Sequence, residues 1–434
     1  MRRLVLAFTV FQVIAVAALA VGGELRAGVA RVDLTPAPEV KASLGGYGDR
    51  MSKPAEGVHD RIFAKALVLS DGSKRFALVT ADVLGFPPGF KSAVVRSLGQ
   101  TDWENDQVML LPSHSHTSID MTAINPRNIL GIPQIGIFNK ELYELTVANL
   151  AKVITDAGKN LVPVSVGTSS TQLNGWNRNR RRDNTTCDAE LTVTRLDKTN
   201  GEPLAILVNW TAHPTFMGPE DMMFSGDWPG HMQRTIEALG GRGVTAMYCN
   251  GAQGDQSPIA RQDSGGNSEK AERYGRELGI VVWREWQKIE SRPSPTFSFH
   301  CEEIALPEPT WHPDFMKTGG AEYGLNEAIV RTVINLMVPQ KTLSESLRLG
   351  DLLIVGIPGE MAAGLGMSVK SQVRRAAGVK HVVIGGLADE WVSYILSADE
   401  YKKGGYEASV SFYGETLGRV VAEGAVRGAA RQNK

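Results

Sequence analysis

The sequence predicts an α/β chain, mixed in the α+β sense, with one large domain built on a mixed sheet core covered by helices. Three observations carry that expectation. From about Ala27 onward, β-like apolar runs alternate with stretches of helical period. Hydrophobic residues make up 42% and charged residues 21% of 434 positions, a globular balance with ample material for a core. No self-similarity at a period of about 20–50 residues is visible, which argues against solenoids and propellers.

Taken in order, the chain opens on an export signal spanning residues 1–20. Arg2 and Arg3 supply a positive start, Leu4 to Ala17 is apolar apart from Thr9 and Gln12, and Ala18-Leu19-Ala20 has the small-residue pattern of a cleavage site. Cleavage after Ala20 predicts a secreted or periplasmic protein without a transmembrane segment in its mature form, since no later run is long and apolar enough to span a bilayer. A single domain over residues 27–430 follows. Its strand candidates are 61–70, 75–81, 108–111, 162–168, 191–196, 204–210, 244–249, 297–304, 352–357 and 381–384. Tyr143, Val147, Leu150 and Ile154 recur at helical spacing, with Gly158 as a stop. Ser268 is placed to cap a helix carrying Ala271, Tyr274, Leu278, Val281 and Val282. Leu417, Val420 and Val421 mark a closing helix.

Lys plus Arg number 46 and Asp plus Glu 47, so the net charge is −1 and no basic excess is available for phosphates. Nucleic acid is excluded as a default partner. Three cysteines, Cys187, Cys249 and Cys301, allow at most one bridge and have no zinc-finger spacing.

Four polar clusters each follow directly on an apolar run. They are Ser113-His114-Ser115-His116-Thr117-Ser118, Thr211-Ala212-His213-Pro214-Thr215, Asn250 to Pro258, and Pro358-Gly359-Glu360. Ligand sites of open α/β sheets lie beyond one end of the strands, so these clusters are expected to converge there. His114 and His116 are two apart, and on extended backbone both imidazoles would face one cavity. Neutral imidazole is a good metal ligand, although two satisfied histidines at a strand end would look the same. Pro214 biases His213 towards extended geometry. Glu360 follows a Pro-Gly turn that can aim it over the strand ends. The loop around Ser257 does not match the G-x-S-x-G nucleophile pattern. In the basic run Asn177 to Arg182, one guanidinium turned inward could hold a carboxylate or a developing oxyanion, whereas a solvated surface is the ordinary alternative. The remaining histidines, His59, His231, His300, His312 and His381, read as structural.

In their order along the chain, H-x-H-T-S at 114–118, N-R at 177–178, A-H-P-T at 212–215, S-G-D at 225–227, G-D-x-S-P at 254–258, P-G-E at 358–360 and the tyrosines between 394 and 406 resemble the catalytic N-terminal domain of the neutral/alkaline non-lysosomal ceramidases. Gly28 to Pro36, Gly45-Gly46-Tyr47 and Gly57 to Arg61 fit the same pattern, which covers about Ala27 to Ser411. The resemblance implies a single Zn²⁺ at the strand ends, held by His114, His213, Glu360 and Tyr394. It further implies His116, Arg178, Ser257 and Tyr406 as catalytic residues. Ser257 is expected to position substrate, with a nucleophilic role as the alternative. The implied activity is hydrolysis of an N-acyl amide in a ceramide-like lipid by zinc-activated water. The alternatives are an amidase or esterase of another extracellular substrate, or a non-catalytic exported binding protein on the same fold. The implied partner is a small-molecule or lipid substrate.

Overall fold

The computed structural model describes residues 24–433 apart from 100–102, 182 and 294; the export signal expected over residues 1–20 lies outside the described residues. Strands mixed with helices form four layers, two sheets face to face between helices. The larger, nine-stranded sheet runs Thr245–Asn250, Pro203–Trp210, Glu190–Lys198, Val162–Gln172, Arg26–Asp33, Phe63–Ser70, Arg75–Ala81, Val108–Pro112, with the short Arg292–Pro293 added beside Val162–Gln172. The pairs Thr245–Asn250 with Pro203–Trp210 and Arg75–Ala81 with Val108–Pro112 are parallel, and the others antiparallel. A four-stranded sheet joins Phe297–Ala305, Lys341–Leu349, Leu352–Ile357 and His381–Gly386, the last pair parallel.

The period-2 alternation of strand side chains decides which layer each residue joins. Leu67 and Leu69 point into the core between the sheets, while Ala64, Ala66 and Val68 of the same strand point outward beneath the helices Phe90–Ser97 and Lys140–Gly158. In the smaller sheet Leu352 and Ile354 meet the first sheet, and Leu353, Val355 and Ile357 pack under Ala363–Ala377 and Leu417–Ala430. At its other end the large sheet is covered by Asp227–Gly240 and Asn267–Trp286, whose Trp228, Met232, Tyr274 and Leu278 close a further cluster. Runs buried on both faces read as continuously apolar.

The expected mixed α/β fold is present, with differences in detail. The strand Lys341–Leu349 and the helices Asp227–Gly240 and Ala363–Ala377 were not anticipated. The helix expected to be capped by Ser268 begins earlier, at Asn267, with Gly266 as its cap and the Gly266 amide donating to the Glu269 carboxylate. All three cysteines are free thiols, and the only one fully buried, Cys249, is pushed up to about 12 by burial.

A buried ionic group ties the two sheets. Lys91 Nζ donates to Glu345 at 2.7 Å and to Asp389 at 2.9 Å, and the second oxygen of Asp389 accepts from the amide of Leu110. Leu110 and Asp389 thereby join the strand leading to the first histidines to the loop that follows His381–Gly386.

Candidate metal centre

The four polar clusters do converge. His114 leaves Val108–Pro112, His213 leaves Pro203–Trp210, the 251–256 loop leaves Thr245–Asn250 and Glu360 leaves Leu352–Ile357. The histidine pair reaches a common cavity by a route other than extended backbone. His114 adopts φ +68, the left-handed region, immediately beyond the strand. Its amide is fixed to the Val83 carbonyl, so the turn rather than strand parity aims its ring. His116 then lies with its Nε2 3.4 Å from that of His114.

The ring nitrogens of His114 and His213 have defined partners. Nδ1–H of His114 donates to the Leu84 carbonyl at 2.6 Å, and Nδ1–H of His213 donates to the Gln253 carbonyl at 2.7 Å. With Nδ1 carrying the proton, each neutral ring presents a lone pair at Nε2. Both lone pairs face one carboxylate oxygen, Glu360 Oε2, which is 3.0 Å from His213 Nε2 and 3.4 Å from His114 Nε2. Three acceptors at this separation require a cation or an extra proton between them. Burial, reinforced by Arg180, pushes His213 down to about 4, which disfavours the proton at neutral pH. The donor set therefore fits a divalent cation, with backbone carbonyls fixing the far nitrogens as at metal sites generally. The nearest ligand atoms of His114, His116 and His213 lie within 4.8 Å of one another.

Surrounding groups hold the carboxylate. Trp391 Nε1 donates to Glu360 Oε1 at 2.9 Å. Burial opposes ionisation of Glu360; positive charge between its Oε2 and the Nε2 atoms of His114 and His213 overcomes that and holds the carboxyl well below its usual range, which is the place a cation would fill. Glu360 pairs in register with Tyr394 in a two-stranded parallel ladder, which sets the phenol beside the centre. Arg180 Nη2 donates to the Tyr394 hydroxyl at 2.9 Å, and its Nε donates to Glu407 at 2.8 Å. Tyr406 stacks edge-on to Tyr394 at 5.9 Å between centroids and exchanges a 3.2 Å hydrogen bond with Tyr323. His116 is pushed well below its ordinary value by burial, with His114 and His213 adding to it; its Nδ1 is buried with no protein partner.

The remaining two residues singled out from sequence lie apart from these contacts. Arg178 and Ser257 are directly opposed across the short antiparallel pair Asn177–Asn179 with Gln256–Pro258, Arg178 exposed and Ser257 half-buried. Strand alternation turns Asn177 and Asn179 inward and Arg178 outward. Arg180 sits one residue past the strand, where parity no longer applies, and it is the guanidinium that enters the cluster. Sequence reasoning also missed Trp391, Tyr323 and Glu407, of which only Glu407 had a signal, as the acid directly after Tyr406; the fold brings it to Arg180 and Arg181.

A second histidine group, His59, Asp60 and His231, lies elsewhere. Asp60 is already saturated: Arg234 donates to one oxygen at 2.9 Å and Ser225 to the other. It reads as an ion-paired anchor, consistent with structural roles for these histidines.

Above the centre lies a chamber of about 140 Å³. His114, His116, Glu360, Tyr394 and Tyr406 form its polar end, and Leu84, Met121, Phe315, Leu325, Ile334 and Phe412 form its apolar walls. Fold and centre together define a class: α/β proteins with a buried imidazole–carboxylate cluster, suited to a divalent cation, at the floor of an apolar chamber. The profile described as neutral/alkaline non-lysosomal ceramidase, N-terminal, matches residues 25–272 and 330–420, and the chain belongs to that family. It is similar to the neutral ceramidase of Drosophila melanogaster, 27% identical over 280 residues that cover 58% of this chain and 39% of the fly protein. With the neutral ceramidase of Pseudomonas aeruginosa it shares 22% identity over 481 aligned positions, covering 90% of this chain and 69% of the other. The crystal structure of neutral ceramidase from Pseudomonas aeruginosa superposes with a TM-score of 0.79 at 20% identity, over 94% of this chain and 74% of that one, which establishes the shared fold. The matched segments thus span 39% of the fly relative's length and about two thirds of the bacterial one.

Proposed function

We propose that the chain is an exported zinc-dependent hydrolase that cleaves the amide bond of an N-acyl amphiphile of the ceramide type. The observation that carries the reading is the pair of Nε2 lone pairs, from His114 and His213, directed at one Glu360 oxygen on the floor of an apolar chamber. His114, His213 and Glu360 would hold the ion, with Tyr394 as the fourth ligand. When bound, zinc polarises a carbonyl and lowers the pKa of water from about 16 towards about 7.

The chain's own residues supply the rest. The apolar walls take up the substrate's hydrocarbon and exclude bulk water, which strengthens every polar contact at the polar end. His116, held neutral by burial, can accept a proton from the attacking water and hand it to the leaving amine, which returns the ring to its neutral form. The Tyr406 hydroxyl, oriented by Tyr323, can donate to a negative oxygen that develops on the carbonyl. Arg180 keeps the Tyr394 phenol in place; Arg178 and Ser257, whose catalytic roles rest on the family resemblance, face each other outside the residues that line the chamber. Export rests on the Arg2-to-Ala20 pattern; among the described residues no helix is long and apolar enough to cross a membrane.

A second reading, hydrolysis of a non-sphingolipid amide or ester, is favoured by one feature. Phe315, Tyr323 and Leu325 of the chamber wall fall in 273–329, outside the residues matched by the family profile. Purified protein incubated with N-acyl-sphingosine, simple N-acyl amides and esters, with and without a chelator, tests both. Chelator-sensitive release of free amine from N-acyl-sphingosine supports the first reading. Turnover confined to the other substrates supports the second, and binding without turnover of any of them defeats both.

A further inference from the structure

The loop between Asn125 and Asn139 has a composition that a water-facing loop does not need. From Asn128 to Asn139 it carries no charge and includes Ile129, Leu130, Ile132, Ile135, Ile137 and Phe138. The structure divides these residues. Ile132 and Ile135 pack on the core, whereas Ile129 is 74% exposed and Leu130 and Ile137 are each 40% exposed. Met51, 41% exposed, sits on the adjoining loop, and Ser52 of that loop donates to the Pro133 carbonyl at 2.7 Å.

This exposure is held in place by the loop's own bonds. The buried Asn128 side chain donates to the carbonyls of Thr122 and Gly136, at 3.2 and 2.9 Å, and Thr122 Oγ1 donates to Ile135 at 2.7 Å. The backbone is thus clamped at both ends with its apolar tip turned outward. Such an arrangement costs solvation unless something covers the tip. Its position says what does. Ser52, Pro133, Gln134 and Ile135 of the same two loops line the chamber whose floor is the metal centre, so the apolar tip is continuous with the chamber wall.

We propose that this tip is a lipid-docking element: Ile129, Leu130, Ile137 and Met51 insert into the acyl boundary of a lipid surface and bring the chamber mouth against it. The proposal rests on the reading of the substrate as an amphiphile, because such a substrate then passes from the lipid phase along apolar wall without crossing water. The stretch Asn128 to Asn139 carries no charge, so the inserted part meets the uncharged acyl boundary, while exposed Arg127 and Lys140 flank it at headgroup level.

The test is partition of the full-length mature chain onto phosphatidylcholine vesicles, with the Ile129→Ser/Leu130→Ser double variant and a Leu239→Ser control. Leu239 is 46% exposed on the Asp227–Gly240 helix. Wild type and control are expected to co-sediment with vesicles, and the double variant to partition about tenfold more weakly or less, at unchanged melting temperature. Turnover of a short-chain, water-soluble N-acyl amide should stay at the wild-type level in the double variant, while turnover of vesicle-embedded substrate falls. A His114→Ala variant should partition like wild type, so that failure of the hydrolase reading leaves the docking result intact. Equal partition of wild type and double variant, or none by wild type, overturns the proposal. So does a wild-type dimer that the double substitution converts to monomer, which would assign the tip to a second copy of the chain.

Discussion

At the residue scale, His116 depends on the absence of a side chain at Gly46. A Cβ there would lie 2.2 Å from His116 Nδ1, and Gly46 has φ +91. Gly46→Ala therefore meets a backbone penalty of about 1–2 kcal/mol and forces the imidazole from its place. Turnover is expected to fall at least tenfold with zinc content unchanged, as read by steady-state kinetics beside metal analysis. The two arginines separate in the same way. Arg180→Ala leaves Glu407 and the Tyr394 hydroxyl short of a donor in a buried site, and should lower both melting temperature and turnover. Exposed Arg178→Ala should leave the melting temperature unchanged, and any loss of rate in it would mark a substrate contact. Proximity of His114 and His116 was legible from their spacing, yet the physical cause is the left-handed turn at His114, which no pattern of side chains reports. Arg180 was illegible because parity along Asn177–Asn179 ends one residue before it.

At the element scale, short runs were legible where both faces are buried, as in Arg75–Ala81 and Leu352–Ile357. Lys341–Leu349 was not, because its buried positions on both faces include Ser344, Glu345 and Ser346, polar residues whose partners lie elsewhere in the chain. Glu345 is one arm of the Lys91 group that joins the sheets. Removing one member of a buried ionic group leaves uncompensated charge, at a cost of about 3–5 kcal/mol. Lys91→Ala should lower unfolding free energy by that order in a urea titration. Lys152→Ala, which breaks an exposed pair with Asp156, should change it by less than about 1 kcal/mol. Equal effects would show that the group does not staple the two sheets.

At the scale of the whole molecule, several carboxyls are buried without full ionic compensation. Burial pushes Glu390 up to about 7, Asp227 to about 7 and Asp120 to about 6. An acid with a raised folded pKa is protonated in the folded chain while ionised in the unfolded one. Folding then takes up protons, and stability falls as pH rises from the unfolded value towards the folded one. For Glu390 that window runs from about 4.5 to about 7. Glu390→Gln should remove this fall, stabilising the protein at pH 8 by up to about 3 kcal/mol relative to its effect at pH 5. Melting curves of both proteins at the two pH values check it, and parallel shifts would refute the assignment. The four-layer arrangement itself was legible only as a mixed sheet under helices. Which strands form the second sheet depends on contacts far apart in sequence, such as Asn209 donating to the Ile384 carbonyl at 2.8 Å.

The central claim is that imidazoles from two strand ends and a carboxylate from a third grip a cation. Metal content of the purified full chain, set beside that of His114→Ala and Glu360→Ala, measures this directly. The account predicts about one zinc per wild-type chain and little in either variant, with far-ultraviolet circular dichroism unchanged. Wild-type protein without metal, or variants that retain as much zinc as wild type, would contradict it.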